Sequence, residues 1–526
     1  MPEPHDHRLL RRTWILIGIC TLGRLLYAQA FFLVPDETNY WQWSRHLDWG
    51  YHDQAPMIAW TIHLATRLLG HSEWTVRLPS VFALTVASIY LVLMARRWFS
   101  AQVAWQTALV SQAILLFNIG SLLATADGLQ AMAWAGACYH AARAYEDNTW
   151  GQWFAGGAWF GFGLLSKYTV VLFLPCLLAY ALFSKKHRGR MISPKPYLAC
   201  LLGLLMFSPV IYWNASHQWN SMRHVAYIGG ANDRLTLHLN FFGDYLASQA
   251  ALLTPMLFIL IVLSWLRFLQ GRYPKENWFC SYLFFTSLPV FAGFAVLSLH
   301  TRVYGNWPGF GYVSAVLLST VFWSGTAPSS VDRGGGSKTS GTLWRWSVVS
   351  AYVFTGIVLV QVIFPVLPIP ARFDRSATES AGWDLLGKHV DTIRRDMPNA
   401  QETFLFGFRY QIASELAFYV PGQPRTVSIN RWSRPNVYDY WWQDADLVGM
   451  DAVGVLESAQ ERSRLLQVFE HVSSPEKYDV FRRHIWHSPD TSVPPVRTHY
   501  IYRCFGFKGG LRWTPPSADD IRATPP

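Results

Sequence analysis

This sequence is poor in charge. Asp, Glu, Lys and Arg make up 15% of its 526 residues, against 51% hydrophobic and 16% aromatic, where a soluble domain carries roughly 25% charged residues. The deficit excludes an ordinary soluble globular protein and implies a chain built for a bilayer. A formal net charge of +11 does not reverse this. On an apolar chain, Lys and Arg gathered in loops face anionic lipid, and nucleic acid is set aside as a partner. Cysteine is sparse as well: of six, Cys20, Cys138, Cys176, Cys200 and Cys280 lie in or beside apolar runs and Cys504 stands in a polar region. Neither a disulfide framework nor a cysteine metal site has the required spacing. A cleavable leader is also missing, because the first apolar run is long, contains Arg24 and lacks a small-residue cleavage site; it is expected to stay as an anchor. No internal repeat is found.

What the chain has is apolar windows of about twenty residues, the length that crosses a bilayer. They predict eleven spans near 13–34, 78–95, 103–122, 128–145, 151–166, 168–184, 197–213, 247–266, 277–297, 308–324 and 345–366. Basic residues set the orientation: Arg8, Arg11 and Arg12, then Arg96 and Arg97, then Lys185, Lys186, Arg188 and Arg190, then Arg267, Arg272 and Lys275 fall on alternate loops. That side is cytoplasmic, so the long loops 35–77 and 214–246 are extracytoplasmic. The expected fold class is a polytopic α-helical membrane protein with a C-terminal soluble α/β domain. The membrane part is residues 1–369. Residues 370–526 carry strand-like "ETFLFG", "RTVSIN" and "THYIYRCFGF" and helix-like "YQIASELAFYV", within ordinary domain size. The stretch "SGTAPSSVDRGGGSKTSGT" reads as a flexible linker, and the tail "TPPSADDIRATPP" as disordered.

Chemistry concentrates where the first span ends, in "VPDETNYWQW". Asp36 and Glu37 there admit two readings. Acids after a proline at a helix start complement the helix dipole, with Trp41 and Trp43 at headgroup depth. Alternatively, one carboxylate serves as a general base while the second holds the acceptor or a divalent metal. The same loop also carries Asn39, Tyr40, Arg45, His46, Asp48, His52 and Asp53, a density of polar groups that favours a catalytic site. Other groups lie at membrane edges on the same side: Asp127 in "ATADGLQ", Lys167 in "LLSKYTVVL", and His300, Arg302 and Asn306 in "SLHTRVYGNWPGFGY". Snorkelling explains a lone Lys and capping a lone Asp, but their shared side points to one site. Arg24 lies inside the first span, where a buried Arg usually faces a cavity or a partner. Such carboxylates and cations suit a reaction in which a base activates a nucleophile and cations stabilise a departing phosphate.

Over nearly the whole chain, "LVPDETNYWQWSRHLDWGYHDQAPMIAW", "TADGLQ", "GLLSKYTVVLFLP", "SPVIYWNASHQW", "NWPGFGY" and "YQIASELAFYVPG" resemble one family. It is the bacterial branch of the dolichyl-phosphate-mannose protein mannosyltransferases, which includes the lipid A aminoarabinose transferases, membrane glycosyltransferases of the GT-C type. The resemblance implies a multi-helix membrane domain whose first extracytoplasmic loop carries the catalytic acid. It also implies a sugar donor on a polyprenyl phosphate and transfer with inversion at the anomeric carbon. Asp36 and Glu37 then form the catalytic pair, with Asp36 as base. Asp127 matches the second acidic site and Lys167 the Ser-Lys turn. One departure stands out. Where close relatives read Asp-His-Pro-Pro or Glu-Lys-Pro, this chain has Asp53-Gln54-Ala55-Pro56, so a phosphate-binding cation is missing. Arg24 and Arg302, beside Lys167, are candidates to replace it. Asp53, His52, Tyr40, Asn306 and Asp127 are expected to bind or support substrate, and a divalent metal, if used, to sit on Asp36, Glu37 and Asp127.

The implied partners are a polyprenyl-phosphate sugar, membrane lipid, and an acceptor that is a glycolipid such as lipid A, a polysaccharide or a protein. The implied location is the bacterial inner membrane. Two other classes stay open. A polyprenyl-lipid or polysaccharide transporter would place Arg24 on a pathway, but should show interrupted helices in related halves. A non-catalytic recruiting partner would not need the acidic pair.

Overall fold

The computed structural model describes residues 4–231, 234, 236–325, 337–370, 373–482, 491 and 494–512. They form two compact units, one of Met1–Ala28 with Asp48–Leu359 and one of Gln29–Leu47 with Val360–Pro526. The expected loop 35–77 is thus divided between them, its first part grouping with the C-terminal residues.

The first unit is helical. Each of the eleven windows falls on a helix or on a broken pair of helices, but not all are continuous spans. Four helices are long and apolar enough to cross a membrane: Glu73–Trp98, Lys195–Ser216, Trp278–Ser298 and Thr339–Ile363. The number rises to six if two bent pairs each count once. The bends are 65° between Ala101–Ala113 and Leu115–Leu122, and 109° between Leu239–Leu253 and Pro255–Leu269. A break in apolar surroundings strands backbone polar groups, and something must satisfy them. At the first bend Asn118 does so. Its Nδ2 donates to the carbonyls of Gln112 and Ile114, both at 2.9 Å, and its Oδ1 accepts from Arg24 Nε and Nη2 at 3.2 and 3.1 Å. Arg24, expected to hold phosphate, is therefore buried and engaged in holding a bend. At the second bend Pro255 opens the new helix, a position where its missing N–H costs nothing.

Helices Trp150–Ser166 and Lys195–Ser216 pack through small residues four apart, Gly157 and Gly161 against Ala199 and Gly203. A Cβ on Gly157 would collide with the carbonyl of Ala199, so glycine sets the close approach. The expected linker changes character part-way. Residues 326–336 lie outside the described residues, but Ser337–Ile363 is helix, because once an apolar helix has formed, extending it into a Gly/Ser end is far easier than starting a new one. The expected disordered tail 514–526 also lies outside the described residues.

The second unit is built on a sheet with strand order β2-β1-β3-β6-β4 and β5 paired to β6. Its strands are β1 Phe404–Gly407, β2 Thr426–Ser428, β3 Ala452–Leu456, β4 Phe469–Val472, β5 Glu476–Val480 and β6 Arg497–Phe507. The first three are mutually parallel, and β6 runs antiparallel to β3, β4 and β5. Alternation along β1 sends Leu405 to one face and Phe404 and Phe406 to the other. Leu405 meets Leu386, Val390 and Leu416 of helices Trp383–Arg395 and Tyr410–Tyr419. Phe404 and Phe406 meet Phe469, Cys504 and Phe507. Cys504 is core.

Helix Pro35–Arg45 belongs to this unit. It is rich in aromatic residues that need a partner, and it finds one in helix Tyr410–Tyr419. Trp41 packs edge-on against Phe418 at 4.9 Å, and the backbone N–H of Leu33 donates to Tyr419 Oη at 2.7 Å. Gln42 Nε2 donates to Tyr438 Oη at 3.4 Å; Tyr438 in turn bonds Ser414 Oγ at 3.0 Å, and Ser414 reaches Asn39 Oδ1 at 3.5 Å. Burial pushes the Tyr438 hydroxyl up to about 12, so it stays a neutral donor in this chain.

Replacing Asn118 with Ala removes both donors at the first bend and leaves the Arg24 guanidinium buried without that acceptor. The expected cost is about 2–4 kcal/mol, read as a lower melting temperature in detergent. An unchanged melting curve would show that the bend does not depend on Asn118.

Candidate active site

The acidic pair of the opening helix divides its labour. Glu37 is fully buried, and its Oε2 accepts from the backbone N–H of Val34 at 3.0 Å, the return bond of a capping box. A carboxylate committed in this way fastens the start of the helix. Asp36, one residue earlier, is exposed and accepts from Tyr410 Oη at 3.4 Å. The capping reading therefore holds for Glu37, while Asp36 keeps its solvent exposure. Tyr40, expected near substrate, is buried edge-on against Trp43 at 4.9 Å. At the far end of the helix His46 stacks on Trp441 at 4.3 Å. Burial, with a smaller contribution from Arg45, pushes His46 down to about 4, which keeps the stack neutral near neutrality.

In the other unit three expected residues meet. Asp127 stands in the first turn of helix Ala126–Asp147, where a negative charge complements the dipole. Lys167 caps the C-terminal end of Trp150–Ser166 in extended conformation, where a positive charge is favoured for the same reason. Lys167 Nζ donates to Asp127 Oδ1 at 2.7 Å, and Asn306 Nδ2 to Asp127 Oδ2 at 3.0 Å. The Lys167 and Asp127 side chains keep 17% and 23% of their exposure, so an incoming anion can reach the ammonium. A second tie runs alongside, Gln130 Nε2 to Thr169 Oγ1 at 2.7 Å. Gly128 supports the arrangement, since a Cβ there would press on the Gly120 carbonyl. Arg302 is exposed on the segment before Asn306, outside this cluster.

His52 and Asp53 join a residue the sequence did not single out. His224, on helix Asn220–Ile228, places Nε2 at 3.1 Å from Asp53 Oδ1, and its ring centre lies 4.8 Å from that of His52. Ligand atoms of all three fall within 4.8 Å of one another. Two imidazoles and a carboxylate are a donor set that suits zinc. The missed signal was a histidine in the second long loop, 214–246.

Residues 53–213 match the family model of dolichyl-phosphate-mannose-protein mannosyltransferase, a range that contains Asp53, Asp127 and Lys167 but not Asp36. In sequence the chain is 24% identical over 318 residues to the lipid A galacturonosyltransferase RgtD of Rhizobium johnstonii, covering 58% of this chain and 64% of that protein. In structure it is similar to ArnT from Cupriavidus metallidurans bound to undecaprenyl phosphate. The TM-score is 0.60 at 14% identity, over 93% of this chain and 97% of ArnT. The chain thus shares its fold with ArnT. A second structural neighbour, the oligosaccharyltransferase of Archaeoglobus fulgidus in the apo form, gives a TM-score of 0.53 at 10% identity over 92% of this chain and 75% of that one. The matched region of the galacturonosyltransferase is thus a little under two thirds of its length.

Two outcomes follow from this geometry. Titrated with zinc, the purified protein should bind about one ion per chain, and His224→Ala and Asp53→Asn should abolish that uptake in calorimetry. Equal uptake by the variants would remove the site. His46 sets a pH dependence. The unfolded chain takes its proton near 6.5, the folded one only near 4, so this contribution to stability is full above 6.5 and is lost as pH falls toward 4. Its loss should cost about 1–2 kcal/mol after discounting for solvent. A His46→Phe variant, which keeps the stack but cannot protonate, should lose less melting temperature between pH 7.5 and 4.5 than the parent.

Proposed function

We propose that this protein is a membrane glycosyltransferase that moves a sugar from a polyprenyl-phosphate donor to lipid A or a related glycolipid. The reaction runs outside the cytoplasm, with Asp36 as general base. The observation that carries the reading is the unequal pair: Glu37 is closed off as a cap while Asp36 stays exposed at the same helix start. The lipid-linked donor is supported by the likeness to ArnT bound to undecaprenyl phosphate, and the lipid acceptor by the likeness to a lipid A galacturonosyltransferase.

In this reaction the Asp36 carboxylate takes the proton of an acceptor hydroxyl as its oxygen attacks the anomeric carbon. The bond from that carbon to the phosphate oxygen breaks, polyprenyl phosphate departs with the bonding pair, and the anomeric centre inverts. The departing phosphate gains charge and needs cations. Lys167, held ready by Asp127 and Asn306, takes that role, with Arg302 as an exposed second cation. Arg24 is withdrawn from it, since its guanidinium is bonded to Asn118. A divalent ion on His52, Asp53 and His224 would add positive charge to the loop that bears Gln54. The proposed setting is eleven spans in the bacterial inner membrane, with the N-terminus cytoplasmic and the α/β unit periplasmic. The transporter alternative is not favoured, since the likeness is to a lipid A galacturonosyltransferase.

Asp36→Asn keeps the shape but cannot accept the proton, and should lower turnover by ~10²–10⁴ with near-normal melting. Glu37→Gln should mainly lower stability. The assay is release of undecaprenyl phosphate from a panel of undecaprenyl-phosphate sugars, galacturonate, aminoarabinose and mannose, with lipid A, a glycoprotein peptide and a polysaccharide as acceptors. Turnover near the parent's by Asp36→Asn would end the catalytic reading, and transfer to peptide or polysaccharide alone would replace the acceptor.

A further inference from the structure

We propose that Tyr410 of the α/β unit is a positioning residue for the reaction, orienting the Asp36 carboxylate and holding it ionised. The inference rests on the assignment of Asp36 as base.

Four observations, all within one unit, carry it. First, Tyr410 Oη donates to Asp36 Oδ1 at 3.4 Å, and Asp36 is the exposed member of the acidic pair. A bond of that length is weak at rest, but catalytic hydrogen bonds tend to be long in free enzymes and to tighten when substrate is bound. Second, Tyr410 is the first residue of helix Tyr410–Tyr419, directly after β1. It stands at the carboxyl edge of parallel strands β1, β2 and β3, the edge at which open α/β sheets place functional groups. Third, Arg434 lies over its ring, with the guanidinium carbon 5.5 Å from the centroid. A cation on the ring face restrains the ring and makes the phenol a better donor. Fourth, the backbone that carries Asp36 is fixed to the backbone that carries Tyr410. Leu33 N bonds Tyr419, the Gln42, Tyr438, Ser414 and Asn39 chain joins the two helices, and Trp41 packs on Phe418. Donor and acceptor are therefore held in register by several contacts, none of which uses the carboxylate.

The chemistry gives the contact two effects. A carboxylate has about four lone-pair positions, so one bond from a phenol limits its rotation while leaving capacity to take a proton. A hydrogen bond to the charged form also favours ionisation and lowers the acid's pKa. Removing the hydroxyl should then raise that pKa, so that the acid limb of the activity profile moves toward higher pH.

The test is Tyr410→Phe in the full-length protein, assayed in membrane vesicles with whichever undecaprenyl-phosphate sugar of the panel turns over. The expected result is an acid limb of kcat/KM shifted upward by ~0.5–1 pH unit and a kcat lowered ~3–30-fold, with KM for the donor unchanged. Tyr438→Phe is the packing control. It breaks the chain between the two helices without touching Asp36, and should lower the melting temperature while leaving the limb in place. If Asp36→Asn is inactive but Tyr410→Phe gives the parent's limb and kcat, the positioning role is overturned and the base survives. If Tyr438→Phe moves the limb as far as Tyr410→Phe, the effect belongs to general packing, and the role is overturned as well. An active Asp36→Asn would instead remove the assignment on which the inference rests.

Discussion

Polar side chains in this protein act mainly because apolar surroundings leave them few alternatives. Asn118 is the clearest case. Inside a hydrocarbon-like unit a helix that bends by 65° exposes carbonyls that water cannot reach, and one amide group answers both of them while also receiving Arg24. Remove that possibility and the bend, with the position of the segment leading toward Asp127, has no support. The same condition explains why Asp127, Lys167 and Asn306 converge. Each sits at the end or edge of an element, and their mutual bonds settle three loose ends together.

Much of the helical organisation could be read from the chain because length and apolarity decide it. The strand-like "ETFLFG" and "RTVSIN" contain β1 and β2, "YQIASELAFYV" contains helix Tyr410–Tyr419, and "THYIYRCFGF" covers all of β6 but its first residue, Arg497. What escaped was whatever depends on distant partners. Tyr410 and Asp36 are 374 positions apart, and no local pattern links them. His224 escaped for the same reason, since a histidine on a short helix gains meaning only when Asp53 is seen beside it. For Arg24, its place inside an apolar span announced a partner, and the structure gives it the side-chain amide of Asn118 on helix Leu115–Leu122. Helix breaks were also underestimated, because a hydropathy window averages across a kink.

The acidic pair shows how adjacent residues of like chemistry can part company. On a helix, neighbours point about 100° apart, so when one turns inward to cap the backbone the next is turned out. Glu37 at the third position has the reach to return to Val34, and Asp36 does not. A shared charge in the sequence thus becomes two environments, one closed and one open, without any further device.

That residues 29–47 group with 360–526 has a meaning for how such proteins diverge. The two segments are far apart in the gene yet constitute one cooperative piece, joined by aromatic packing and a chain of hydroxyl and amide bonds. A recombination event that exchanged only the C-terminal coding half would pair a foreign partner with the native helix and break every contact between them. Exchange becomes tolerable only when both segments travel together, so inheritance of the α/β unit should track the identity of a short stretch near the start of the chain, and a hybrid assembled at a single junction would inherit a mismatch at its most sensitive helix.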